Sequence, residues 1–314
     1  MNTRKIVIRT VLLIIGLPVV LFLTAAASIY VLNQTNGTIV SSGHEREYLL
    51  YVPTNYDRTR PTPLVISMHG AMNWPAFQMN LSRWNKAADE NGFIVVYPAG
   101  TGAGLKTWFM EGARTPSRMP DVRFISELID TLEAAYNIDP TRIYVNGVSN
   151  GGGMAFVLSC TLSHRIAAVG AVAAAQSLPW SWCTDQRPVP MIAFHGTADP
   201  IVPYNGGKVL IAPEPFPSVS TWAAKWARRN RCGATPVESV VAPDVTRVEY
   251  THCADDAAVV LYTIQGGGHT WPGGKPMPEW IVGPTSNSID ATSQMWTFFR
   301  EHPLREAQTA ARRK

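Results

Sequence analysis

Arg142-Ile143-Tyr144-Val145-Asn146-Gly147-Val148-Ser149-Asn150-Gly151-Gly152-Gly153-Met154-Ala155-Phe156-Val157-Leu158 is the stretch from which the rest of the chain is read. Ile143-Tyr144-Val145 is a short run of β-branched and aromatic residues, the pattern of a buried strand. From Gly152 to Leu162 small and apolar residues follow one another without interruption, which suits a buried helix. Between them Gly147-Val148-Ser149-Asn150-Gly151 matches G-x-S-x-G. In a strand–turn–helix context that pattern is a nucleophile elbow, in which the serine sits on a strained turn with its hydroxyl presented. A Cβ at Gly147 or Gly151 would crowd such a turn. The amino end of the following helix also favours negative charge developing close by.

Outward from the elbow, short apolar runs alternate with helical patterns. Glu47–Val52, Leu64–Met68, Phe93–Tyr97, Ile143–Val145, Ala167–Ala174, Met191–Phe194 and Val259–Ile264 read as strands. Their uniform apolarity suits strands buried on both faces of a parallel sheet. Val122–Tyr136 carries Phe124, Ile125, Leu128, Ile129 and Leu132 at three- and four-residue spacing, a helix with Asp121 as its expected N-cap. Leu81–Asn91, Gly152–Leu162, Ser220–Arg229 and Ala291–Arg300 are the other expected helices. The alternation predicts βαβ units and an α/β fold with a mostly parallel central sheet flanked by helices.

A serine hydroxyl is a weak nucleophile and needs a base, which in turn needs an orienting acid. Enzymes with this elbow carry them in the chain order serine, acid, histidine. His269 lies in Gly266-Gly267-Gly268-His269-Thr270-Trp271-Pro272-Gly273-Gly274, after the last strand, and is the expected base. Asp199 follows the Met191–Phe194 strand in His195-Gly196-Thr197-Ala198-Asp199-Pro200, at the carboxyl end where α/β sheets build sites. Asp255 and Asp256 precede the last strand and stand at the wrong end. His195 reads as structural. An oxyanion hole needs two backbone N–H groups. Asn150, next to the nucleophile, supplies one; Ala71, after Leu64–Met68 and His69-Gly70, is the candidate for the other, with His69 itself read as structural. Trp74, Trp108 and Trp271 flank these loops and are candidates for lining a substrate pocket.

These landmarks resemble the polyhydroxybutyrate-depolymerase and feruloyl-esterase group of α/β-hydrolases, the set similar to carbohydrate esterase family 1. The resemblance runs from about Gly43 to Phe299. It is carried by His69-Gly70, Trp108, Asp121 with Phe124-Ile125, the string from Tyr136 to Gly153, His195-Gly196-Thr197-Ala198-Asp199, and Gly268-His269-Thr270-Trp271-Pro272-Gly273. It implies the α/β-hydrolase fold, the triad Ser149, Asp199 and His269, and hydrolysis of carboxylic esters with no metal or organic cofactor. Hydroxyalkanoate oligomers, hydroxycinnamoyl esters, acetyl esters and short acyl esters are the substrate classes implied. An acyltransferase with the same triad, a peptidase and a non-catalytic binding protein on this fold are the competing readings.

Composition agrees with a folded exported enzyme. The chain of 314 residues is 46% hydrophobic and 16% charged, which excludes a disordered protein. Its 27 basic and 23 acidic residues are too balanced and scattered to argue for nucleic acid. Residues Val11 to Leu32 carry no charge and follow Arg4, Lys5 and Arg9. As a helix this run would span about 33 Å, enough to cross a bilayer. It reads as an uncleaved signal anchor or as a secretory signal cut after Ala25-Ala26-Ala27; the apolar run through Leu32 favours the anchor. Either reading places the main domain outside the cytoplasm. The expected organisation is an N-terminal segment over 1–33, one catalytic domain over 34–303 and a basic tail over 304–314. Cys160, Cys183, Cys232 and Cys253 form an even set that suggests two disulfides in an exported protein, with three pairings possible. No CxxC pair supports a zinc site.

Overall fold

Strand-forming residues dominate the first part of the chain, and in the computed structural model they place β1 (Gly37–Ser41), β2 (His44–Tyr51), β3 (Thr62–Met68) and β4 (Ile94–Pro98). Helices α1 (Pro75–Ser82) and α2 (Trp84–Asn91) lie between β3 and β4. Next come α3 (Pro120–Ala135), β5 (Ile138–Val148), α4 (Asn150–Thr161), β6 (Ala168–Val172), β7 (Met191–Gly196) and α5 (Val219–Arg229). The chain continues with β8 (Val237–Ala242), β9 (Val245–Tyr250), β10 (Val259–Ile264), α6 (Glu279–Val282) and α7 (Ala291–Glu301). The structure describes residues 34–102, 104–109, 119–183, 187–209 and 215–305. The apolar run over 11–32 and the basic cluster at 312–314 lie outside the described residues. Among the described residues, no helix is long and apolar enough to cross a membrane.

The strands form one sheet in the order β1-β2-β4-β3-β5-β6-β7-β10-β9-β8. The six strands from β4 to β10 in that order are parallel, and antiparallel pairs close both edges. This is the mostly parallel sheet expected from the uniform apolar runs. Alternate side chains of each strand enter opposite layers. Leu64, Ile66, Ile143 and Val145 join α3, α4 and α5 on one face, where Phe124, Leu128, Phe156, Trp222 and Trp226 pack. Val65, Val95 and Tyr144 join α2 and α7 on the other, with Trp84, Phe93, Trp296 and Phe299. Tyr144 and Phe299 stack at 4.8 Å there. Helix α4 is buried along almost its whole length, which is why its sequence shows no polar face.

Several local expectations differ from the structure. The helix expected over Leu81–Asn91 is two helices, broken at Arg83 with φ 58°. The Leu81 carbonyl accepts from the Lys275 N–H and the Ser82 carbonyl from the Thr292 hydroxyl, so other segments take carbonyls that a continuous helix would use itself. Asp121 is not the cap of α3: the helix starts at Pro120 after Met119, and the Asp121 carboxylate turns to Arg46, Thr101 and the Phe109 N–H. The β8–β9 hairpin carries no buried-strand signal, because β8 buries none of its residues. Leu304, assigned to the tail, is buried, and its N–H donates to the Thr141 carbonyl.

Candidate active site

Strand β5 ends at Val148, and the chain turns directly into α4 through Ser149, at φ 54° and ψ −122°. A non-glycine residue at positive φ is strained and persists where its surroundings over-determine it. Here the Ser149 N–H donates to the Val172 carbonyl at 2.8 Å, and its carbonyl accepts from Gly153 N–H at 3.0 Å. A Cβ at Gly147 would stand 2.4 Å from the Gly151 carbonyl carbon, and one at Gly151 would stand 2.3 Å from the Met68 carbonyl oxygen. Both flanking glycines are therefore demanded by close backbone approach. The half-buried Ser149 lies at the carboxyl end of the sheet.

Asp199 follows β7 and His269 follows β10, which are paired parallel neighbours. Both side chains therefore emerge at the same end of the sheet as Ser149. His269 Nδ1 lies 2.8 Å from Asp199 Oδ2. A carboxylate only accepts, so Nδ1 carries the proton and Nε2 remains the basic nitrogen. The other carboxylate oxygen, Oδ1, accepts from the N–H groups of Ile201 and Val202, each at 2.8 Å. His195 Nε2 donates to the Val202 carbonyl at 2.8 Å and stands 3.3 Å from Asp199 Oδ2. Burial alone would raise the Asp199 pKa, but hydrogen bonds from His195 and His269 outweigh it and hold the carboxyl well below the usual carboxylate range. Asp199 is thus an anion fixed on four sides. Asp255 and Asp256 lie beyond Cys253 and reach Arg305, away from this cluster.

The β3 end supplies the second wall. Gly70 packs against Ser149: a Cβ there would stand 3.5 Å from Ser149 Cβ. Ala71 follows it, half-buried. His69 is fully buried. Gly100 N–H donates to its Nε2 at 3.0 Å, so Nδ1 carries the proton and donates to the Gly70 carbonyl at 2.7 Å. Burial pushes the His69 pKa down to about 4, and the nearby Lys106 charge acts in the same direction, against the Gly70 hydrogen bond. The imidazole is therefore neutral.

The three tryptophans have three different environments. Trp108, 1% exposed, is buried and does not line an open pocket as expected; its indole N–H donates to the His69 carbonyl at 2.9 Å. Its backbone pairs twice with the Asn150 side chain: Trp108 N–H to Asn150 Oδ1 at 2.8 Å, and Asn150 Nδ2 to the Trp108 carbonyl at 3.2 Å. Trp74 is half-buried and donates to the Gly104 carbonyl at 2.8 Å. Trp271 is a correction to the pocket expectation: it is only 1% exposed, packs in the core and donates to the Thr292 hydroxyl. The roles of His69, Trp108 and the Asn150 amide escape a reading by motif, because they depend on which backbone groups meet across loops far apart in sequence.

Disulfides join Cys160 to Cys183 and Cys232 to Cys253. The first ties the end of α4 to the segment after β6; the second ties the end of α5 to the approach to β10. Among the described residues, no group of three or more His, Cys, Asp or Glu is placed to hold a metal ion.

Comparison with known proteins gives a consistent picture. The family model for esterase PHB depolymerase matches residues 46–176, which contain β3, the elbow and both oxyanion candidates. Feruloyl esterase B of Piromyces equi is 30% identical over 237 residues, covering 73% of this chain and 44% of that protein. The chain thus spans less than half the length of that relative. The protein named "Putative esterase NocK" of Nocardia uniformis subsp. tsuyamanensis is 30% identical over 277 residues, covering 82% of this chain and 80% of that one. The structure of an acetyl xylan esterase from Aspergillus awamori superposes with a TM-score of 0.61 at 16% identity, over 83% of this chain and 98% of that chain, a likeness of fold. With an identity of 30% sustained over four-fifths of one relative and a family match that contains the elbow, the chain belongs to the esterase PHB depolymerase family.

Proposed function

We propose that the protein is a serine carboxylic-ester hydrolase acting through an acyl-enzyme. The observation that carries this reading is the 2.8 Å hydrogen bond between His269 Nδ1 and Asp199, at the end of the sheet that also presents Ser149 on its strained turn. His269 Nε2 takes the proton as Ser149 Oγ attacks the ester carbonyl. The carbonyl oxygen becomes an oxyanion held by the N–H groups of Asn150 and Ala71. Collapse expels the alcohol, protonated by His269, and leaves Ser149 acylated. Water, deprotonated by the same nitrogen, then releases the carboxylic acid. Asp199 stays ionised throughout, fixing the tautomer and supporting the imidazolium.

The substrates proposed are hydroxycinnamoyl, acetyl or other short acyl esters and hydroxyalkanoate oligomers, in keeping with the feruloyl and PHB-depolymerase relatives. Two disulfides support a site of action outside the reducing cytoplasm. The run over 11–32 would deliver the domain there as a signal or hold it at a membrane. The proposed organisation is that N-terminal segment followed by one catalytic domain.

The test is a panel of p-nitrophenyl esters of rising chain length, a methyl hydroxycinnamate and a hydroxybutyrate oligomer. The panel is run with the unmodified protein and with Ser149→Ala. Hydrolysis that falls by about a millionfold in the variant supports the reading. Equal inertness of both folded proteins on every ester overturns it.

A further inference from the structure

An oxyanion hole built from two loops works only if its donors are the right distance apart, and in this fold they arrive on separate strands, Ala71 after β3 and Asn150 after β5. The residues between them form a continuous hydrogen-bonded path. The Asn150 amide grips the Trp108 backbone on both sides, at 2.8 and 3.2 Å. The Trp108 indole N–H holds the His69 carbonyl at 2.9 Å. The His69 ring in turn holds the next carbonyl, that of Gly70, at 2.7 Å. In a trans peptide the C=O and the following N–H point in opposite directions. Fixing the Gly70 carbonyl on the imidazole therefore turns the Ala71 N–H to the other side, while Gly70 itself lies against Ser149.

This path is anchored from outside as well. Phe109 N–H, next to Trp108, donates to Asp121 at 2.8 Å, and buried Asp121 pairs with Arg46 at 2.7 Å. Thr101 and Thr107 bridge the same loop, and Met72 N–H reaches the Thr107 hydroxyl at 3.2 Å. The ring of Trp108 lies 5.3 Å from that of His69.

The geometry points to Trp108, the Asn150 side chain and His69 as positioning residues that act together as a strut, setting the separation and direction of the two oxyanion donors. The inference deepens the serine-hydrolase reading and rests on it. The His69 and Trp108 side chains are buried, and the Asn150 amide is engaged by the Trp108 backbone. Asn150 has two separable parts: its backbone N–H is a donor, and its amide side chain holds the strut. The strut contributes only where negative charge develops, so its loss lowers kcat and leaves KM nearly unchanged.

The test uses Trp108→Phe, which keeps an aromatic ring and removes the indole donor, and Asn150→Ala, which keeps the backbone N–H and removes both side-chain bonds. Each is measured for kcat and KM on an ester the unmodified protein hydrolyses. Each is also measured for inhibition by a trifluoromethyl ketone, whose serine adduct carries an oxyanion, and by the product carboxylate. The expected result is a fall in kcat of about 10- to 100-fold with KM within about threefold, and an equal loss of ketone affinity. Product affinity is unchanged. The double variant is no worse than about threefold below the poorer single variant, because both cuts break one path. Phosphonylation of Ser149 by a fluorophosphonate and an unchanged near-ultraviolet circular dichroism spectrum confirm that each variant is folded. Unaltered kcat, a loss confined to KM, or multiplicative losses in the double variant would each overturn the strut while leaving the hydrolase standing. Absence of Ser149-dependent turnover in the unmodified protein would instead remove the hydrolase reading, and the strut with it.

Discussion

Asp199 shows how one residue can be prepared by its neighbours. Its two oxygens take two backbone N–H groups and one imidazole N–H at 2.8 Å, with His195 at 3.3 Å. Replacing it by Asn would keep the volume and remove the charge. It would also let the amide N–H face His269 Nδ1, favouring the wrong tautomer. Asp199→Asn is expected to lower kcat by about 10⁴-fold, with thermal stability changed far less than activity. His69 gives a second prediction at this scale. Its pKa is about 4 in the fold against 6.5 when unperturbed, so between those values the unfolded chain binds the extra proton. Stability then falls as pH drops through that window, by roughly 3 kcal/mol in all. Urea unfolding from pH 7 to pH 4 should show this slope, and His69→Gln, which offers an amide donor and acceptor but no titration, should flatten it. A slope identical in both proteins would contradict the assignment. The placing of Ser149, Asp199 and His269 at one end of the sheet, with Asp199 bonded to His269, was legible, since each follows an apolar strand run. The pairing of the Asn150 amide with Trp108 was not legible, because the two are 42 positions apart.

At the scale of elements, the parallel strands were legible because each is buried on both faces and carries no polar alternation. Edges and breaks were not. β8 is wholly unburied and gives no apolar signal, and Arg83 breaks a helix for reasons set by Lys275 and Thr292, far along the chain. Asp121 is the instructive case. Local sequence makes it a helix cap, yet its carboxylate is taken by Arg46, Thr101 and Phe109 N–H, joining β2, the loop after β4 and α3. Arg46 also lies over the Phe124 ring at 4.0 Å. Removing one member of a buried pair leaves the other uncompensated. Arg46→Met is therefore expected to cost about 3 kcal/mol in chemical denaturation. It should lower kcat as well, by loosening the Trp108 segment. A loss of stability with kcat intact would show that the ion pair serves the fold alone.

For the whole molecule, the six parallel strands form a floor, and Ser149, Asp199 and His269 stand on the segments that follow their carboxyl ends. The disulfides brace that arrangement: Cys160–Cys183 fixes the far end of α4, the helix that follows Ser149, and Cys232–Cys253 closes the span from α5 to the approach to β10. Their loops of 23 and 21 residues in sequence separation correspond to about 3 kcal/mol each in the chain-entropy account. Reduction should lower the thermal midpoint measurably without abolishing hydrolysis at low temperature. An unchanged midpoint after complete reduction would contradict that role. The even cysteine count was readable in the sequence, whereas the pairing needed the fold, because three pairings satisfy the same count.

In the proposed reaction Ser149 is a nucleophile activated by His269. The most direct measurement is mass spectrometry of the folded protein after brief exposure to a fluorophosphonate, with the modified peptide sequenced. A single adduct on Ser149 is predicted, absent from urea-unfolded protein and slowed by at least about 100-fold in His269→Ala. An unmodified Ser149 in a folded protein, or equal labelling with and without His269, would rule out a His269-activated serine.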